Sequence, residues 1–313
     1  MKILVTGGAG FIGSHLVDAY LDGGHEVVVL DNLSTGNLDN LKSEARFVEG
    51  DIRDADLIDR LFEIERFDLV NHHAAQLDVR ASVDNPALDG EQNIIGSVNL
   101  LQAAVQNGVE RFIFASSGGT VYGVQQVFPA DESHLTDPIS PYGVSKLAVE
   151  KYLGYFAHQY GLRYAVLRYT NVYGPRQNND GEAGVVAIFC TRMLNGKQPV
   201  INGSGEQTRD YVYVEDVAGA NMLVREYLER EKRGVFNICT NTEVTVNELF
   251  RKLNGMLGNR FEEVHAPAKP GEQFRSVCTW EKAAQELGWK PEVEFEEGLR
   301  RTMESFGKVE MQS

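Results

Sequence analysis

The chain has 313 residues, 42% of them hydrophobic, three cysteines, and a formal net charge of −15 at pH 7. That acid excess, with no long basic run, argues against a nucleic-acid surface and against docking on an anionic membrane, and no apolar stretch reaches bilayer-spanning length. Cys190, Cys239 and Cys278 are far apart, odd in number and without metal-ligand spacing, so they read as buried thiols of a cytoplasmic protein.

The chain enters a strand directly after Met1, with no sign of a targeting segment. Residues 2–6 form the apolar run, the turn Gly7-Gly8-Ala9-Gly10-Phe11-Ile12-Gly13 follows, and 14–20 read as a helix. In that order they make a dinucleotide-binding turn: glycines let the backbone approach a pyrophosphate, and the helix start presents N–H groups and a positive dipole end. Residues 26–30 predict a second strand closing on Asp31, placed for a ribose 2'-hydroxyl. Its carboxylate would repel a 2'-phosphate, which selects NAD over NADP.

Further strands read at 45–49, 67–71, 111–115 and 163–168, with helical segments such as 55–66 and 93–107 between them. This alternation predicts an α/β fold, a Rossmann-type doubly wound parallel sheet with ligand groups at the carboxyl ends of its strands. Asp51 and Ile52 follow the third strand, suited to an adenine amino group and ring; capping of the next helix is the competing reading for Asp51. His72 and His73 follow the fourth strand and read as structural, because neighbours at a strand end point to opposite sides and no third metal ligand is in view. Small residues, Ala74 and Ala75, come next, then Gln76, where a backbone passes close to a ligand.

Ser116-Ser117-Gly118-Gly119-Thr120 ends the fifth strand, and Ser140-Pro141 then opens a helix on which Tyr142 and Lys146, four apart, share a face. An ammonium beside a phenol, together with the positive charge of an oxidised nicotinamide, favours the phenolate and lowers the tyrosine pKa toward the working pH. Tyr142 therefore reads as a proton acceptor and donor. The alternation becomes irregular after residue 170. Residues 1–170, rejoined by 207–240 with a strand at 234–238, read as an NAD-binding Rossmann domain; 171–206 and 241–313 read as a smaller α/β substrate lobe ending in a frayed tail from 305. Arg209 and Lys269 suit a substrate diphosphate, although surface charge alone accounts for them.

Together, G-G-A-G-F-I-G, Asp31, Ser116-Ser117, Y-G-V-S-K, R-Y-T-N-V-Y-G-P and R-D-Y-V-Y-V-E-D resemble the extended short-chain dehydrogenase/reductase family, and within it the UDP-glucose 4-epimerase branch. The resemblance implies Tyr142 as acid/base, Lys146 on the nicotinamide ribose, and a hydroxyl of the Ser116-Ser117 pair, Ser117 by preference, on the reacting sugar oxygen. It implies NAD contacts from Gly7, Gly10, Phe11, Ile12 and Gly13, and from Asp31, Asn32, Ser34, Thr35 and Gly36. Asp51, Ile52, Ala74, Ala75, Gln76 and Asn93 join them, with Ser116, Tyr142, Lys146 and Tyr169. UDP-sugar contacts would come from Ser117, Tyr142, Asn171, Arg209, Lys269, Glu272 and Ser276, and no metal is implied.

Gly118-Gly119 stand where related dehydratases and decarboxylases carry acids, which favours reversible epimerisation over elimination. A bulky aromatic restricts the sugar pocket near Ser276 in the family, so a serine leaves room for an N-acetyl group. The resemblance also implies a homodimer through helices 93–107 and 141–160, where Leu147, Val149, Tyr152, Leu153 and Phe156 spread over more than one face; burial within one subunit is the competing account. Two alternatives stay open. One is a UDP-glucuronate 4-epimerase or another nucleotide-sugar epimerase, with Arg80 or Arg176 meeting the carboxylate. The other is a non-catalytic NAD-sensing regulator, which has no need of a tuned phenol.

Overall fold

The computed structural model describes residues 1–178, 184–268 and 273–310, so Lys269 and Glu272 lie outside the described residues. The first part runs β1 (Lys2–Thr6), α1 (Phe11–Asp22), β2 (Glu26–Asp31), β3 (Arg46–Glu49), α2 (Ala55–Glu65), β4 (Leu69–His72), α3 (Val79–Asp84) and α4 (Pro86–Gly90). A π-helical turn, Glu91–Ile95, leads into α5 (Gly96–Gln106), β5 (Arg111–Ser117), α6 (Pro141–Tyr160) and β6 (Arg163–Tyr169). Then come β7 (Asn171–Tyr173), α7 (Val185–Leu194), β8 (Ile201–Asn202), β9 (Thr208–Arg209), β10 (Tyr211–Tyr213), α8 (Val214–Arg230) and β11 (Arg233–Ile238). The chain closes with β12 (Val244–Thr245), α9 (Val246–Met256), β13 (His265–Ala266), α10 (Glu281–Leu287) and α11 (Phe295–Glu310).

Seven strands form one parallel sheet in the order β11-β6-β5-β4-β1-β2-β3. Strands covered on both faces read as continuous apolar runs, as Val27-Val28-Val29-Leu30 does. Alternate residues feed two cores: Ile3, Val5 and Val29 meet Leu16 and Val224 on one face, while Leu4, Val28 and Leu30 meet Phe62 and Leu101 on the other. β1 lies between β2 and β4, so the winding reverses beside it and a crevice opens beyond Thr6 and His72.

Tyr173, Phe189, Phe250, Leu299 and Met303 make a third core with the short strand pairs β7/β10, β9/β12 and β8/β13 nearby. Two expectations need correction here. Assigning all of 241–313 to a separate lobe fails for Ala283 and Trp289, which pack in the main core; the Trp289 Nε1 donates to the Asp216 carbonyl at 3.0 Å. From 305 to 310 the tail is not frayed, because α11 runs to Glu310 and its apolar stripe Leu299, Met303 and Phe306 packs inward; 311–313 lie outside the described residues.

Of the apolar residues expected to spread over α6, Val149, Leu153 and Phe156 are buried in their own subunit's core, Leu147 is partly buried, and only Tyr152 stays exposed. All three cysteines are buried free thiols. Among the described residues, no helix is long and apolar enough to cross a membrane, and no cluster of three His, Cys, Asp or Glu side chains is arranged for a metal.

Candidate active site

Gly7 leaves β1 with φ +67, and a Cβ there would stand 2.7 Å from the Ala74 nitrogen, so the turn must be glycine where two strand ends converge. A Cβ on Gly13 would run into the Gly7 carbonyl oxygen. Gly10 begins α1 with no side-chain cap, and no acid stands in the first turn, which leaves N–H groups and the positive dipole end for an anion. Buried Asp31 accepts from Ala9 N at 3.0 Å and Leu33 N at 2.8 Å, fixing its carboxylate beside the turn. A Cβ on Gly36 would stand 2.9 Å from Asp31 Oδ1, so this loop too approaches closely. A glycine-only cradle, an uncapped helix start and a fixed acid at the end of β2 fit a dinucleotide. The Asn37 N and Asn40 Nδ2 add a strap that the sequence reading missed, donating to the Ala9 carbonyl at 3.0 and 2.9 Å.

Asn32 Nδ2 donates to Asp51 Oδ2 at 3.0 Å, and Ser34 N to Asn32 Oδ1 at 3.0 Å, which joins the loops after β2 and β3. Thr35 is exposed on that loop, while Ile52 is buried. The capping reading of Asp51 fails, since Asp54 caps α2 by accepting from Leu57 N at 3.0 Å. Asp51 instead accepts from Arg53 N, Nε and Nη2, and the Arg53 side chain leads in holding its carboxyl down at about 2.

At the reversal of winding, Thr6 Oγ1 accepts from the His73 and Ala74 nitrogens, each at 3.2 Å. Its own proton is therefore free for His72 Nδ1 at 2.7 Å. His72 Nε2 then donates to Ser97 Oγ at 2.8 Å, and Ser97 donates to the Asn93 carbonyl at 2.5 Å. Both ring nitrogens of His72 are spoken for, and burial keeps the ring neutral. His73 stacks on Tyr169, with its Nε2 3.0 Å from the Tyr169 hydroxyl. That hydroxyl also accepts from Asn221 at 2.9 Å, so the Tyr169 side chain belongs to the core.

Side chains alternate along a strand, and the end of β5 uses this to separate its two serines. Ser116 turns inward and donates to Glu150 Oε1 at 2.6 Å. Glu150 is paired with Arg168 through bonds of 3.0 and 2.7 Å; Arg168 donates to the Tyr122 hydroxyl at 3.0 Å, which donates to Asn237 at 2.7 Å. The hydroxyl expected of Ser116 at the cofactor is thus committed to a buried network. Ser117 faces the other way and interacts with Tyr142.

Ser140 caps α6 by accepting from Gly143 N at 3.2 Å, and Pro141 sets the first turn. Ser82 helps to aim it, accepting from Tyr142 N at 3.2 Å, a contact with no sequence signal. One turn on, the buried Lys146 Nζ donates to the Ala115 carbonyl at 3.0 Å and stands 5.6 Å from the centre of the Tyr142 ring. Burial brings Lys146 down to about 8, against the pull of Asp89. Tyr142 keeps part of its surface at the cleft wall, yet removal from water, then Asp89, raises its pKa, while Ser117 lowers it. The lowering expected from sequence is not a property of the chain alone, because burial outweighs it.

Beyond Tyr142, the Asn171 N donates to the Asp210 carbonyl at 2.9 Å, which sets Asn171 opposite Tyr211, two residues after Arg209. Ser276 is buried two residues before Cys278, whose Sγ lies 3.8 Å from the Gly118 carbonyl oxygen. Arg176 Nη2 donates to Asp18 at 2.7 Å, which ties it to α1; Arg80 is exposed on α3.

Residues 3–239 match the NAD-dependent epimerase/dehydratase family. The chain belongs to that family. A UDP-glucose 4-epimerase of Mycolicibacterium smegmatis is 42% identical over 311 residues, covering 98% of each chain. Among solved structures, UDP-glucose 4-epimerase of Thermotoga maritima with UDP-glucose is 50% identical, covers 99% of both chains and superposes with a TM-score of 0.96. A UDP-N-acetylglucosamine 4-epimerase of Methanobrevibacter ruminantium, in complex with UDP-N-acetylmuramic acid, is 37% identical, covers 98% of both chains and has a TM-score of 0.92.

For this epimerase/dehydratase chain, Asp89 is the main site residue that the sequence reading passed over. It is a buried acid within hydrogen-bonding reach of Asn93 and Gln76. A lone aspartate in a short helix gives no pattern that would single it out.

Proposed function

We propose that this chain interconverts UDP-glucose and UDP-galactose by reversible epimerisation at C4, with NAD retained between turnovers. The observation that carries the reading is the convergence of Ser117, Tyr142 and Lys146 at the carboxyl end of β5, beside the glycine cradle. The full-length likeness to UDP-glucose 4-epimerases supports it.

The chemistry that NAD supplies when bound is reversible acceptance of the C4 hydride. Tyr142 takes the C4 hydroxyl proton and later returns it to the ketone oxygen, while Ser117 hydrogen-bonds that same oxygen in both directions. Lys146, fixed by the Ala115 carbonyl, keeps N–H groups for the nicotinamide ribose and places positive charge beside the phenol. Asn171, Arg209, Lys269 and Glu272 anchor the nucleotide end, and the loosely held ketone turns over before its other face is reduced. Gly118-Gly119 leave no acid beside Ser117 for elimination.

We assign NAD binding to residues 1–170 with 207–240 and nucleotide-sugar binding to 171–206 with much of 241–313, in a cytoplasmic homodimer. Exposed Ile95, Val144, Tyr152 and Tyr155 on the π turn and α6 support the pairing face. The small Ser276 admits N-acetyl sugars, and the likeness to a UDP-N-acetylglucosamine 4-epimerase supports this. Purified protein given UDP-galactose without added nicotinamide should form UDP-glucose, and Tyr142→Phe should lose about a thousandfold in rate while retaining NAD. Conversion that needs a stoichiometric supply of NAD, or an active Tyr142→Phe, contradicts the reading. Inertness toward UDP-N-acetylgalactosamine would remove Ser276 as the reason for a broad pocket.

A further inference from the structure

An ammonium taken out of water needs a counter-charge. Asp89 is 2% exposed, and its Oδ1 accepts from Asn93 Nδ2 at 3.0 Å and Gln76 Nε2 at 3.2 Å. Asn93 is itself fixed: its Oδ1 accepts from Gln76 N at 2.8 Å, and its Nδ2 also reaches the Gln76 carbonyl at 2.9 Å and Ser145 Oγ at 3.4 Å. The Ser145 hydroxyl donates to the Tyr142 carbonyl at 2.9 Å. Through Asn93 and Ser145 the carboxylate is thus fastened to the turn of α6 that carries both Tyr142 and Lys146. The π-helical turn that contains Asn93 is the kind of irregularity that recurs at functional sites.

We propose that Asp89 is the buried counter-charge of Lys146, a positioning residue whose fixed carboxylate sets the electrostatic balance of the Tyr142–Lys146 pair. The inference rests on reading those two residues as the proton-handling pair. The carboxylate acts on them in opposite senses, favouring the charged form of Lys146 and disfavouring that of Tyr142. Burial raises Asp89 itself, and Ser145 and Lys146 oppose that rise. The titratable groups facing Lys146 from the end of β4 are His72 and His73, both driven down first by burial and then by Lys146, so neither brings charge near neutral pH. The resting site therefore keeps Tyr142 protonated and Lys146 charged until substrate and an oxidised nicotinamide add their own fields.

Asp89→Asn keeps an acceptor oxygen for Asn93 and Gln76 and removes the charge. The acid limb of its kcat/KM profile for UDP-galactose should move down by about one pH unit, and the alkaline limb should move the same way as Lys146 releases its proton earlier. In NAD-loaded protein with isotope-labelled tyrosine, the Tyr142 resonance, assigned with Tyr142→Phe, should titrate lower by a similar amount. Asp89→Glu keeps the charge and should keep the wild-type limbs even where kcat falls. Lower kcat in Asp89→Asn with limbs and Tyr142 titration unmoved overturns the proposal and leaves Asp89 a brace.

The resonance needs no turnover. A wild type that fails to convert UDP-galactose, with a Tyr142 titration that still shifts in Asp89→Asn, defeats the proposed function and supports this inference. Should Asp89→Asn not fold, Lys146→Met probes the pair from the other side. An unpaired Asp89 has a folded-state pKa above its unfolded value, so that variant should lose less stability relative to wild type at about pH 5 than at about pH 8. An equal loss at both overturns the proposal.

Discussion

Around the glycine turn, short local bonds to neighbouring strand ends hold the backbone: Ala9 to Asp31, Ala74 to Thr6, and Asn37 to Ala9. Asn171 and Arg209, at the other end of the cleft, stand on strand pairs only two or three residues long, and Arg209 is joined to Val244 by a two-residue ladder. The first region is set by a sheet that exists whether or not ligand is present, and it suits a cofactor that stays. The second hangs on ladders of two or three residues outside the main sheet, which suits a substrate that must enter, leave and let its sugar turn.

Breaking the rigid end should have the larger effect. Gly13→Ala pushes a methyl into the Gly7 carbonyl and should weaken NAD retention by about a hundredfold, at an overpacking cost of about 3 kcal/mol. NAD content after gel filtration reads this directly, and retention at the wild-type level would mean that the turn has slack. At the looser end, Arg209→Ala should raise the KM for UDP-galactose by about tenfold with NAD content unchanged, in line with loss of one charged hydrogen bond. An unchanged KM would place the diphosphate elsewhere.

A third effect concerns the seam between the two ends and leaves both ligands aside. Asp210, wholly buried, accepts from Thr240 N and Oγ1 at 2.8 Å each and from Asn241 N at 3.0 Å, and burial raises its carboxyl to about 6. A raised folded-state pKa gives stability that is fully present below the unfolded value and lost as pH climbs through the folded one. The stability of wild type relative to Asp210→Asn should therefore fall between about pH 4 and about pH 6, read from denaturant melts. A flat difference would mean that Asp210 titrates as an ordinary carboxyl.

The same contrast explains what could be read without coordinates. Apolar runs such as Val27–Leu30 and the Ser140-Pro141 start gave the main sheet and α6, because those signals are local. Tyr142 and Lys146 were legible from helical spacing, and Ser117 over Ser116 follows from strand alternation once Glu150 is seen to hold Ser116. The Glu150–Arg168–Tyr122–Asn237 chain was not legible, since its members are up to 115 residues apart in sequence. Asp89 was hidden for a related reason: its partners Gln76 and Asn93 become neighbours only when the loop after β4 meets the π turn. Asp51 misled because an acid just ahead of a helix resembles a cap, while Asp54 holds that position and Arg53 holds Asp51.

The central claim is that hydrogen leaves C4 and returns to C4 within one closed site. The most direct test supplies UDP-galactose deuterated at C4 to the purified protein in ordinary water, with an excess of free unlabelled reduced nicotinamide dinucleotide, and reads the product by mass spectrometry and NMR. Full retention of deuterium at C4 of UDP-glucose is the predicted result. Deuterium lost to solvent or to the free dinucleotide pool would contradict it.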